Sequence, residues 1–408
     1  MEQTLLAPHT ESALHPRYGL VSALLVWCGL AVVSSLYVTV SIGGLLAAHY
    51  GITLAQSAWA SSAFSLFYAL GFLACGPLSE RYGRRSVILA GLALLAIISP
   101  LIGFAPSFAA LAALRALQGA AASTFAPSAL AYIMESYPAG KKVTAIGLVS
   151  TGFLTAGIVG QLFSSFIGER LGWPYVFHIL GAVYLITALA ALRLLPRDRA
   201  KGLPLALSQL PRKLVGVFLL RPLYACYAVT VTLLFAFVGM YLVLGHYLSA
   251  PPFGLTPPQL LLLRAAGIVG MAASPFAGAL VARRGSYPVL LSGLTLALTG
   301  LLGLALIPSL PSLTVFSIVF VTGIALSVPT LIALIGQLAG PSRASAVSLY
   351  TFILFVGATL GPVGATLLMK EWGDRAAFLG LAGALSLGLL AALWLWRENR
   401  FRTTNGIN

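Results

Sequence analysis

Long apolar runs separated by short polar breaks fill the chain from Gly19 to Arg397. Each is close to the roughly 20 residues that a helix, rising 1.5 Å per residue, needs to cross a ~30 Å hydrocarbon layer. The pattern predicts twelve spans, at 19–47, 55–79, 86–105, 108–134, 143–168, 174–195, 222–248, 258–282, 287–307, 312–338, 345–369 and 375–397. Turn-forming residues stand between them: His49-Tyr50-Gly51, Pro106, Pro138-Ala139-Gly140, Gly172-Trp173-Pro174, Pro251-Pro252, Pro308 with Pro311, and Gly340-Pro341. The first run exceeds the 7–15-residue apolar core of a signal peptide, so it is read as a membrane helix. The expected fold class is an all-α integral membrane protein.

Composition settles the solvent. Of 408 residues 59% are hydrophobic and 8% charged, against roughly a quarter charged in soluble domains. A net charge of +15 would suit nucleic acid, but here the basic residues are scattered through short loops instead of gathering on one face. The bilayer is therefore the expected partner, and no nucleic acid. Cys28, Cys75 and Cys226 lie inside apolar runs without metal-ligand spacing and read as small buried hydrophobes. Without a Ser/His/Asp set or a His-rich cluster in the spans, no enzyme, metal site or cofactor is expected.

Charge orients the chain, because basic residues favour cytoplasmic loops. With the N-terminus inside, 19 of the 24 Lys and Arg fall on the cytoplasmic side, only Arg170, Lys370 and Arg375 fall outside, and Arg115 and Arg264 lie within spans. Both termini are thus expected in the cytoplasm. The basic, proline-containing stretch before Pro222 divides the chain into a tail (1–18), a six-helix bundle (19–195), a linker (196–221), a second bundle (222–397) and a tail (398–408). An internal repeat supports the division: Gly76, Leu78, Arg81 and Gly83 recur as Gly278, Leu280, Arg283 and Gly285, and Gly157 and Gly160 recur as Gly361 and Gly364. The fold expected is two pseudo-symmetric six-helix bundles.

The segment from Gly76 to Arg85 is the most charged stretch of the first bundle. Gly76 suits close helix approach, Gly83 a turn with positive φ, and Glu80 a helix N-terminus or a neighbouring Arg. It resembles the signature joining spans 2 and 3 of the major facilitator superfamily, Gly-x-Leu-x-Asp-Arg-x-Gly-Arg-Arg/Lys, with Glu80 in place of the aspartate. Leu111 to Gly119, with Arg115, Gln118 and Gly119, is similar to the family's fourth-span signature, common among proton-coupled exporters. The resemblance covers the whole chain in helix number, loop spacing and repeat. It implies a transporter, functional as a monomer in the plasma (inner) membrane, whose central site opens alternately to either side and draws on a proton gradient.

The resemblance also assigns a conformational latch to Gly76, Glu80, Arg81, Gly83, Arg84 and Arg85, in which the acid meets a helix end and an arginine. Gly278, Arg283 and Gly285 form the second copy, where Ala282 replaces the acid. Glu135, at the inner end of span 4, is either a further partner for these arginines or an interfacial carboxylate. Gly152 to Gln161 occupies the position of the antiporter signature with Gly157-Ile158 instead of its Gly-Pro pair, whereas Gly361-Pro362 carries that pair in the other half.

All nine acids lie in tails, loops or span ends. That argues against a purely cationic substrate and leaves proton coupling without an obvious carboxylate. Arg115, eight residues into span 4, would lie about 12 Å deep, where an arginine costs ~2.5–3.5 kcal/mol and needs a partner, a cavity or an anion. With Gln118 one turn further on, it is expected to face the cavity; an arginine tied to backbone carbonyls is the alternative. Arg264, about 9 Å into span 8, either snorkels to the interface or serves the site. Since spans 1, 4, 7 and 10 line the cavity in the resembled family, Tyr37, Ser34, Ser41, Tyr227, Thr230 and Thr330 are candidate contacts, each able instead to bond between helices. Gln161 joins them as an uncommon amide within span 5. The expected function is proton-linked efflux of small organic compounds; import or exchange of an organic anion or sugar-like solute, and a non-transporting sensor, are the alternatives.

Overall fold

A computed structural model describes residues 18–196 and 210–404. Among them it is helical throughout: α1 (Tyr18–Ser41), α2 (Gly43–Tyr50), α3 (Leu54–Ser57), α4 (Trp59–Tyr82), α5 (Arg84–Gly103), α6 (Phe108–Ala122), α7 (Phe125–Ser136), α8 (Ala139–Leu171), α9 (Trp173–Leu194), α10 (Leu210–Phe218), α11 (Arg221–Ser249), α12 (Pro257–Met271), α13 (Ala277–Arg284), α14 (Ser286–Leu306), α15 (Leu310–Leu338) and α16 (Arg343–Thr404). The reason is the solvent, since in hydrocarbon a backbone N–H or C=O finds a partner only within a helix or a closed barrel.

Ten stretches are long and apolar enough to cross a membrane. One runs from Ser345 to Phe401, a length of about 85 Å if straight, and Gly373 breaks its helix at φ 79° and ψ 173°. It therefore contributes spans 11 and 12. Span 4, expected as one helix, is divided at Ser123 and Thr124 into α6 and α7, each under 18 residues. Ser123 and Thr124 turn their hydroxyls back to the Ala120 and Ala121 carbonyls, a competing bond that bends helices. These two adjustments restore the twelve predicted spans. The segment expected as a linker holds α10, whose Val217 is buried and whose Phe218 stacks on Tyr227 at 5.9 Å. The rest of the linker, 197–209, and most of both tails lie outside the described residues.

Hydroxyl caps mark the starts of the even spans 2, 4, 8 and 10. Thr53 with Gln56, Thr256 with Gln259, and Ser309 with Ser312 form capping boxes, and Ser107 accepts from the Ala110 N–H. Packing follows the sequence repeat. Helix α1 lies on α8 as α11 lies on α16, and α4 on α6 as α12 on α15. A Cβ on Gly160 would stand 2.6 Å from the Ser34 carbonyl oxygen, and one on Gly361 would stand 2.6 Å from that of Phe235. The two halves meet through α4 and α7 against α16, and through α8 against α12, α13 and α15.

Candidate functional site

At one end of the molecule, Gly83 (φ 88°) joins α4 to α5, and Gly285 (φ 84°) joins α13 to α14 in the second half. This left-handed backbone favours glycine. Arg84, next to the first turn, is buried, and its fork engages Glu135 through Nη2 at 3.0 Å and Nε at 3.3 Å. Its Nη1 donates to Ser79 Oγ at 2.6 Å and to the Gly76 carbonyl at 3.4 Å. Bidentate pairing of this kind fixes geometry as well as charge. Arg85 donates to the carbonyls of Leu192 at 2.6 Å and Leu195 at 2.8 Å, closing the C-terminus of α9. Arg81 lies over the neighbouring Tyr82 ring at 5.2 Å.

Glu80 points the other way, into the second half. The hydroxyl of Ser345, in the first turn of α16, donates to its carboxylate at 3.4 Å. In return, Arg343 donates to the Met134 carbonyl in the last turn of α7 at 3.3 Å, so the halves exchange contacts at this end. Gly278 packs so closely on Thr144 of α8 that a Cβ there would overlap the Thr144 hydroxyl, while Arg283 is exposed. Gly147 abuts the Ser274 carbonyl, and Thr151 donates to that of Met271 at 3.4 Å. These contacts seal the seam between the halves.

Beyond the seam lies a cavity of about 220 Å³, lined by Tyr37, Gln161, Phe237, Tyr241, Arg264 and Pro362 among others. Tyr37, Leu154, Phe237 and Val238 also line an adjoining inner chamber of about 80 Å³, walled further by Tyr68, Ser150, Tyr350 and Phe355. The walls are almost entirely apolar. No carboxylate lines either chamber. Arg264 Nη2 donates to the Tyr241 carbonyl at 3.4 Å, and the Tyr241 ring stands edge-on to Phe237 at 5.2 Å. Gln161 Nε2 donates to the Gly157 carbonyl at 2.9 Å, the partner that an amide within span 5 requires.

Of the residues expected to bind or couple substrate, Tyr37, Gln161 and Arg264 come together here, and Arg115, Gln118 and Tyr227 do not. Arg115 is fully buried inside the first bundle. Its guanidinium donates to the Ala60 carbonyl at 3.2 Å, the Ser35 carbonyl at 2.9 Å, Thr39 Oγ1 at 3.4 Å and Gln118 Oε1, and lies 4.4 Å above the Phe64 ring. Gln118 in turn donates to Ser99 Oγ at 2.8 Å. The expectation that this pair faces the cavity is corrected, because carbonyls and a ring face satisfy the arginine instead. Tyr227 is also displaced from the site, since its buried hydroxyl reaches the Ala346 carbonyl at 3.5 Å beside α10. Ser34, Thr230 and Thr330 spend their hydroxyls on backbone carbonyls, and Ser41 is exposed. Tyr241, Tyr68 and Tyr350 were not singled out in the sequence. The repeat offered a signal for Tyr241, which follows Tyr37 by the same 204 residues that separate Gly361 from Gly157.

Known proteins resemble this arrangement. The MFS-type transporter YybF of Bacillus subtilis (strain 168) is 27% identical over 353 residues, 85% of either chain. The inner membrane transport protein YnfM of Escherichia coli (strain K12) is 29% identical over 280 residues, covering 68% of this chain and 66% of its own. A tetracenomycin C resistance and export protein of Streptomyces glaucescens is 32% identical over 152 residues, 37% of this chain and 28% of its own. The crystal structure of the human organic anion transporter MFSD10 superposes with a TM-score of 0.73 at 18% identity, covering 92% of this chain and all of that one, a likeness of fold. The profile of the Major Facilitator Superfamily matches residues 20–344 and 253–406. With twelve spans, duplicated glycine turns and a cavity between its halves, the chain belongs to the major facilitator superfamily and is a multi-pass membrane transporter.

Proposed function

We propose that this secondary transporter, working as a monomer, exports small organic compounds that are neutral or anionic, in exchange for protons. One observation carries the reading: among the described residues, Arg264 is the sole charged one lining a largely apolar cavity. Such a site accepts an apolar body and one acceptor or anionic group. A cation would meet Arg264 unopposed. Similarity to an export protein over part of the chain supports the outward direction. The positive-inside pattern supports cytoplasmic termini, with the glycine turns and Glu80 on the cytoplasmic side of the inner membrane. Closure at that end then corresponds to a cavity facing outward.

Glu80, Arg81, Arg84 and Arg85, with Gly76 and Gly83, serve in this reading as the latch that holds the closed seam. Gly278, Arg283 and Gly285 repeat its turn without its acid. Switching breaks the contacts of Glu80 with Ser345 and of Arg343 with Met134, and opens the cavity to the cytoplasm. The test uses purified protein in liposomes with a pH gradient and anthracene-2-carboxylate, a fluorescent aromatic anion. Efflux driven by the gradient is the expected result. Flux indifferent to pH would remove the proton link, and absence of flux would remove the exporter reading. The inward alternative rests on the same arginine; it prevails if an outward gradient of a second organic anion, and not of protons, drives uptake.

A further inference from the structure

The inner chamber contains more hydrogen-bonding capacity than the protein uses. Tyr68 Oη, Tyr350 Oη and Ser150 Oγ, on α4, α16 and α8, all belong to buried residues that line it, and none of the three has a protein partner. Tyr241 lines the outer chamber, and its hydroxyl, packed against Gly267, is buried and unpartnered as well. Elsewhere in the membrane, hydroxyls of Ser34, Thr39, Tyr184, Thr230, Ser327 and Thr330 find a carbonyl or hydroxyl, while those of Ser128, Ser274 and Ser348 are single unpartnered groups away from either chamber. Buried hydroxyls left unmade are costly and uncommon. Here three, from both halves, belong to residues that line one small space.

The walls of that space are aromatic. The Tyr68 ring stands edge-on to Phe72 at 4.4 Å and to Phe355 at 4.9 Å, and Phe153 and Phe237 also line the chamber. Flat apolar walls with phenol hydroxyls between them match a planar ring that carries oxygen acceptors at its edge. A saturated chain would match the walls and leave the hydroxyls unmet. Arg264, in the adjoining outer chamber, adds a cation for an acidic group on the same molecule.

We propose that the transported compounds are oxygenated aromatic acids, which insert a carbonyl-bearing ring among Tyr68, Tyr350 and Ser150 while their acidic group meets Arg264. This deepens the export reading above and rests on its cavity. The hydroxyls donate to the ring oxygens, so an otherwise identical compound without those oxygens leaves donors unpaired and binds less tightly. Sites built to hydrogen-bond a ligand group discriminate strongly against the analogue that lacks it.

Two probes isolate the oxygens. Anthraquinone-2-carboxylate and anthracene-2-carboxylate share three fused rings and one carboxylate and differ in two ring carbonyls. Calorimetric titration of the purified full-length protein is expected to give at least a tenfold lower Kd for the quinone, equivalent to about 1.4 kcal/mol. The double substitution Tyr68→Phe with Tyr350→Phe removes two unpartnered hydroxyls and keeps the rings. It is expected to leave the unliganded melting temperature unchanged or higher and to erase the preference, with little effect on the anthracene. Arg264→Gln is expected to weaken both probes equally and leave the preference intact. Equal affinities in the native protein, a preference that survives the double substitution, or failure of either probe to bind would each overturn the inference. Binding with the expected preference but without flux would keep the chamber and discard export. Flux of both acids without preference would do the reverse.

Discussion

At the residue scale, the two intramembrane arginines part company. Arg115 is enclosed by carbonyls, Gln118 and Phe64, and Arg264 borders the cavity. Arg115→Ala is therefore expected to destabilise the fold, by about 2–5 kcal/mol for emptying a large buried site, with four acceptors stranded in addition. A lowered melting temperature in detergent checks this; a protein that melts normally but does not transport would return Arg115 to the site. Arg264→Gln should spare the melting temperature and raise KM for an anthracene-2-carboxylate substrate at least about tenfold, the lower range of what a charge-assisted hydrogen bond contributes. Arg115 was legible as an expensive residue that needed partners. Which partners it finds was not, because Ser35, Ala60 and Phe64 come from two other helices.

At the element scale, glycine sets the distance between helices. Gly160 meets the Ser34 carbonyl and Gly361 that of Phe235, so the same close approach occurs in both halves. Gly160→Leu and Gly361→Leu are each expected to force their helix pairs apart, with loss of folded protein in membranes measured by size-exclusion of the detergent extract. Monodisperse protein at native yield would refute the close-packing role. A second pair of turns joins the repeat in the structure: Gly172 (φ 98°) before α9 and Gly373 (φ 79°) between the last two spans. The division of α6 from α7 was not legible, since local side-chain back-bonding at Ser123 and Thr124 leaves the apolar period of span 4 unchanged.

At the scale of the whole molecule, the proposed latch divides its contacts between the halves. Arg84 spends its charge inside the first half on Glu135, and Glu80 reaches across to Ser345. Glu135→Gln is expected to lower stability by about 1.5–3 kcal/mol, the range for hydrogen bonds to charged groups. Glu80→Gln should leave the melting temperature near native and change turnover, read as initial rates in liposomes; unchanged turnover would take Glu80 out of the switching account. Alternation itself can be arrested. Gly336 faces the Met134 side chain across the seam, so Met134→Cys with Gly336→Cys places two thiols where a small side chain replaces the methionine that a Cβ would strike. Cys28, Cys75 and Cys226 are first replaced by alanine, so that only the new pair can react. A short bifunctional methanethiosulfonate is expected to stop flux, with recovery on reduction; flux that persists after complete cross-linking would mean that this seam does not open.

By itself the sequence determined the solvent, the number of spans and the duplication. Each depends on local apolar length or on residues that recur along the chain, such as Gly83 and Gly285. It also identified Gln161 and Arg264 as polar groups out of place in hydrocarbon, whereas Tyr37 was a candidate through the family resemblance. Tertiary structure decided which of the costly polar groups are satisfied within a bundle and which are left for a ligand. Arg115 is conspicuous inside an apolar span and Tyr68 is not, and only the helices packed around them show a guanidinium with four acceptors and a phenol with none. Hydrogen-bond satisfaction is a property of neighbours in space, and for residues brought together from several helices it has no signature along the chain.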